Sequence, residues 1–104
     1  MLFDTTKDIE LDIKNKLSQY IKTNGENFDF KMLKSAVWVY LRELKIIHEL
    51  ESFFVSDIID NTFYIEYKKD NEDYTFVVSS VVELRNVKIE KIKSNKIIKT
   101  YIIL

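Results

Sequence analysis

The hydrophobic period changes once along this chain, and that change sets the class of fold. Up to about residue 50, apolar residues recur at helical spacing; from residue 62 they alternate as strands do. At 104 residues the chain is long enough for one domain with its own core. The pattern predicts a single α+β domain spanning residues 1–104. Two N-terminal helices would pack on a C-terminal antiparallel meander sheet of four to five strands.

The first helical stretch runs from about Thr5 to Thr23. Ile9, Ile13, Leu17, Tyr20 and Ile21 fall on one helical face. Thr5 and Asp8 have the spacing of a capping box, and Asp8, Glu10 and Asp12 suit the positive end of the helix dipole. Asn24-Gly25 supplies a left-handed stop. Residues 8–14 also alternate with period two, so a short strand competes there; the longer stripe favours helix.

In the second stretch Asp29 can cap, with Phe28 and Leu33 as the hydrophobic staple. Leu33, Val37, Tyr40, Leu41, Leu44 and Ile47 form one stripe, and Ala36, Val39, Ile46 and Leu50 widen it. So wide a band predicts burial on two sides, against the sheet and against the first helix. A helix over residues 30–50 would be about 30 Å long. It could lie diagonally across strands of roughly 25 Å. Trp38 falls off the main stripe, which places it near a layer edge, against the first helix or a partner.

Residues 52–59 read either as a strand or as more helix. Asp60-Asn61 reads as a turn, Thr62–Lys68 as an alternating strand and residues 69–73 as a polar loop. Residues 74–84 read as a strand and Arg85-Asn86 as a weak turn. Residues 87–93 and 97–104 form a hairpin around Ser94-Asn95.

Reactive groups are few. The sequence has no Cys, which removes disulfides, thiolate zinc sites and cysteine nucleophiles. With one glycine, Gly25, it can form neither a phosphate-cradling loop nor a nucleophile elbow, since both need several. The single histidine, His48, reads as a surface residue near a helix C-terminus, where positive charge is favoured. Residues 70–73 suggest calcium, but an EF-hand loop counted from Asp70 would put Thr75 where Gly is required and Val81 where Glu is required. Nothing fixes the separation of Asp57 and Asp60 for acid–base work. The sequence therefore assigns no catalytic residue, no cofactor and no metal ligand, and an enzyme is not expected.

Charge is distributed unevenly. Residues 85–104 carry Arg85, Lys88, Lys91, Lys93, Lys96 and Lys99 against Glu90 alone, while the whole chain has a net charge of −1. The basic hairpin could contact phosphates or an acidic partner, or its lysines could simply protect a sheet edge. Elsewhere Asp8, Glu10, Asp12, Asp57, Asp60, Asp70, Glu72 and Asp73 could gather into a negative surface that imitates nucleic acid. The apolar end, residues 100–104, asks for burial within the sheet or at a two-fold subunit contact. The candidate partner-binding residues are Trp38, the acids Asp70, Glu72 and Asp73, and the lysines Lys88, Lys91, Lys93, Lys96 and Lys99.

No apolar run approaches the roughly 18 residues of a membrane span, and the N-terminus lacks a basic and then apolar leader. The expectation is a cytoplasmic protein. Abundant Lys, Ile and Asn with scarce Gly, Pro and Arg indicate an AT-rich genome, as in phages and mobile elements of low-GC bacteria. The functional expectation is a non-enzymatic protein-binding module, such as an immunity-type protein or an anti-defence inhibitor directed at CRISPR nucleases. The alternatives are a nucleic-acid binder using the basic hairpin and a small-ligand-binding or catalytic α+β domain.

Overall fold

The structure, a computed structural model, describes residues 8–24, 29–81 and 86–103. Two helices, α1 (Ile9–Asn24) and α2 (Phe30–Ile46), precede five strands: β1 (Ser52–Val55), β2 (Thr62–Lys69), β3 (Glu72–Val81), β4 (Asn86–Lys93) and β5 (Lys96–Ile103). The strands form one antiparallel meander in the order β1-β2-β3-β4-β5. The smallest dimension is 23 Å, the thickness of a helical layer on a sheet.

Of residues 8–14, Asp8 precedes the helix and residues 9–14 are helical, not a strand. Asp8 accepts a hydrogen bond from the Leu11 N–H at 3.0 Å, so its carboxylate caps the first turn. Thr5, Gly25 and Phe28 lie outside the described residues. Asp29 caps α2 as expected, accepting from the Lys31 N–H at 2.9 Å.

The second helix is shorter than its sequence pattern, because the backbone turns left-handed at His48 (φ 62). The Glu49 N–H reaches the Leu44 carbonyl and the His48 N–H reaches that of Lys45, which closes a Schellman motif without glycine. Ile47 is therefore the C-cap and is exposed, although it continues the stripe.

Three two-residue turns, Asp60-Asn61, Asp70-Asn71 and Ser94-Asn95, join strands with φ between 53° and 64° at every central residue. Positive φ at both positions is the type I′ geometry that matches strand twist, and Asn and Asp tolerate it best. The expected polar loop over residues 69–73 is thus only Asp70-Asn71. Glu72 and Asp73 pair with Lys69 and Lys68 in the ladder. Asn86 is a buried strand residue opposite Val81 rather than half of a turn. Residues 52–59 form the short strand β1 and a bridge between Ile59 and Thr62.

The core lies between the layers. Ile9, Ile13, Leu17 and Ile21 of α1 and Leu33, Val37, Leu41 and Leu44 of α2 face Phe63, Ile65, Phe76, Val78, Val87 and Ile89 of the sheet. Among the described residues no helix is long and apolar enough to cross a membrane.

Candidate functional site

The predicted partner residues do not form one surface. Asp70, Glu72 and Asp73 are exposed at the turn that follows β2, whereas Asp57 and Asp60 precede that strand. Eight residues of β2 hold the two acidic groups about 26 Å apart along the sheet. Asp12 is engaged with the Tyr40 hydroxyl at 2.6 Å and Asp57 with Lys34 at 3.6 Å.

The lysines divide as well, because side chains alternate across a strand. Lys88 points to the uncovered sheet face beside Glu90 at 3.5 Å. Lys91 and Lys99 sit opposite each other on the helix-facing side, and both meet Glu10 of α1, at 2.8 and 3.5 Å. Lys93 and Lys96 pair at the hairpin tip.

Glu10 also accepts a hydrogen bond from the Tyr101 hydroxyl. Partial burial pushes its carboxyl up, but the hydrogen bonds from Lys91 and Tyr101 and the lysine charges outweigh that and hold it below the ordinary value. Lys91 lies 5.5 Å from the Tyr74 ring centre, and Lys14 lies 5.4 Å from that of Tyr101. This polar corner fastens α1 to the last hairpin, and no short-range sequence spacing announces it. Burial and the Asp12 carboxylate similarly drive the Tyr40 hydroxyl far up, keeping it neutral.

The solvent side of α2 has a different character. Met32, Ser35, Val39, Arg42 and Ile46 succeed one another at three- and four-residue steps, the spacing of a helix-packing seam. All five are exposed. Val39 and Ile46, expected in the buried band, are 49% and 64% exposed, and Met32 is 53% exposed. The band is wider than the sheet and α1 can cover.

Between the helices this side opens into a groove of about 540 Å³. Its α1 wall is Lys16, Gln19, Tyr20 and Thr23, and its α2 wall is Met32, Ser35, Ala36 and Val39. The walls run antiparallel, so Lys16 faces Val39 and Thr23 faces Met32. On the other flank of α2, Trp38 is 41% exposed. It meets Phe53 of β1 edge-on at 6.0 Å and carries the Arg42 guanidinium 5.5 Å from its ring centre. Trp38 thus stands at the layer edge, against the sheet rather than against α1.

Among the described residues nothing covers the sheet face away from the helices either. It presents Phe54, Tyr64, Ile97 and Ile102, each about half exposed, interspersed with Glu66, Lys88 and Glu90. Strand β5 is an edge, with Ile103 buried beneath α1 and Ile102 turned outward. Among the described residues no group of three or more His, Cys, Asp or Glu is placed to hold a metal ion. No protein-family model, curated protein or solved structure matches the chain.

Proposed function

We propose that this protein is a non-enzymatic docking module that acts by binding a protein partner through its helical layer. The observation that carries this reading is the seam of Met32, Val39 and Ile46, each about half exposed or more on one side of α2, with Trp38 beside it. Apolar side chains at packing spacing left in water form the kind of face that a partner can cover, which supports the reading. Fully burying a side chain of this size contributes roughly 1.5–3 kcal/mol. Seating the exposed halves of four such residues therefore supplies several kcal/mol toward association. Trp38 and Arg42 are of the types that dominate interface energetics. Inhibitors and immunity-type proteins work in this way, by occupying a partner's surface. Affinity capture with the full chain tests the reading. A specific protein should be retained by the wild type and lost with V39D/I46D, while the far-UV spectrum stays unchanged. Retention by the variant, or turnover of a metabolite by the purified protein, would overturn it.

A further inference from the structure

We infer that the pocket at the C-terminal end of α2 binds a nucleotide, its base on the exposed aromatic rings and its phosphate on three surrounding basic side chains. The inference does not rest on the docking seam, since Met32 and Val39 line the other flank of the helix.

The pocket has a volume of about 590 Å³ and is lined by Trp38, Arg42, Lys45, Ile46, His48 and Phe53. Two of the six are aromatic, three are basic and none is acidic. The composition follows from how α2 segregates its charges. Lys31, Lys34, Arg42 and Lys45 are all the cations of this helix, and they fall with Trp38 on one side of it. Glu43, its one acid, lies about 100° round the axis from Arg42. The left-handed backbone at His48 ends the helix, and the imidazole joins the same lining.

The basic groups of the pocket are not neutralised. Lys34, a turn before Trp38, is held by Asp57 at 3.6 Å, but among the described residues no carboxylate pairs with Arg42, Lys45 or His48. Glu51 accepts from the Asn71 N–H at 3.1 Å, and Glu49 does not line the pocket. Nor do the last carbonyls of α2 oppose an anion. Those of Glu43, Leu44 and Lys45 accept the N–H groups of Ile47, Glu49 and His48.

Both halves of a nucleotide therefore find a counterpart. Trp38 is exposed and Phe53 half-buried, and a base stacks on aromatic side chains whatever its sequence. The Arg42 guanidinium, 5.5 Å from the Trp38 ring centre, joins the cation to the ring. Guanidinium, ammonium and imidazole N–H groups all donate to a phosphate. The volume lies within the roughly 300–1,000 Å³ of small-molecule sites, more than a bare phosphate fills. An acidic peptide would use the cations and leave the rings unused. The basic C-terminal hairpin is less suited, because Glu10 holds Lys91 and Lys99 and Lys88 stands beside Glu90.

Trp38 is the only tryptophan, so its emission reports on the pocket directly. Adenosine monophosphate or an eight-nucleotide deoxyadenylate strand, added to the full chain, should quench it saturably. Equal affinities mark a free nucleotide as the ligand, and a tighter strand marks single-stranded nucleic acid. Trp38→Ala and R42A/K45A, read by the anisotropy of a labelled probe, should each weaken binding at least about tenfold. R42A/K45A should also flatten its salt dependence, while K93A/K96A at the hairpin tip leaves binding unchanged. Thermal melts should show the variants folded. No quenching by either probe overturns the inference, as does binding lost with K93A/K96A but not with R42A/K45A. So does displacement of the probe by a glutamate octapeptide as effectively as by the strand. Equal binding of duplex DNA would overturn it too, because a paired base cannot splay out onto Trp38.

Discussion

Leu41→Ala and Val39→Ala lie two residues apart on α2, and the structure assigns them opposite consequences. Leu41 is 0% exposed, inside the core that α2 shares with the sheet; Val39 is 49% exposed on the seam. Truncating Leu41 removes three carbon atoms from the interior, about 2.4 kcal/mol at roughly 0.8 per methylene. The residual cavity adds to this, giving about 3 kcal/mol within the usual range of 2–5. A chain of this length has about 5–15 kcal/mol in total, so a fifth or more of the stability disappears. The melting temperature should fall by roughly 12–24 °C, at 4–8 °C per kcal/mol. Val39→Ala loses about half of two methylenes, some 0.8 kcal/mol. It recovers most of that because alanine is the better helix former, so the net change should be under about 0.5 kcal/mol. Urea unfolding followed by far-UV circular dichroism and Trp38 fluorescence measures both. Equal losses, or a Leu41→Ala loss under about 1 kcal/mol, would mean that α2 is rotated from the orientation described and would refute the reasoning.

Further outcomes follow from other parts of the molecule. Asn95→Ala should cost about 1 kcal/mol, because φ is 63° there, while Asn95→Gly should cost nothing measurable in the same urea titration. Asp29→Ala should cost about 1 kcal/mol through loss of the α2 cap, seen as a lower urea midpoint. The Glu10 carboxyl is held below its ordinary value of 4.5, so its contribution is present above that pH and is lost as pH falls through the lowered value. Glu10→Gln should therefore flatten the fall in urea midpoint between neutral and strongly acid solution. Tyr40 is raised above its ordinary value of 10.0, so its contribution is present below pH 10 and is lost as pH rises beyond it. Tyr40→Phe should accordingly reduce the alkaline loss of stability seen by the same midpoint measurement.

The order of elements was legible because each level of the sequence agreed with the next. Ile9, Ile13, Leu17 and Ile21 mark the buried face of α1, and the alternation of Phe63, Ile65 and Tyr67 marks that of β2. The three Asn-containing turns sit where strand alternation breaks. The end of α2 was not legible, because Ile47 prolongs the stripe while His48 leaves helical geometry; no glycine announces the stop. The hydrophobic pattern reports that a face is apolar and does not report what covers it. Val39 and Ile46 therefore read as core, although α1 and the sheet leave them in water. A seam at three- and four-residue steps beside a second, complete buried stripe was the available signal. The Glu10 corner joins residues about ninety positions apart, as the Tyr101 bond shows. Such a pairing depends on how α1 lies over the last hairpin, which no local spacing encodes. The net basic character of residues 85–104 was real, but strand alternation sends Lys88 to one face and Lys91 and Lys99 to the other.

The chain has no cysteine of its own, so single thiols can be placed at will on the folded surface. Rates of maleimide labelling for V39C and I102C, measured with and without the captured partner, probe the docking face most directly. The account predicts that the partner slows labelling at position 39 and leaves position 102 unchanged. Protection at position 102 with free labelling at position 39 would contradict it.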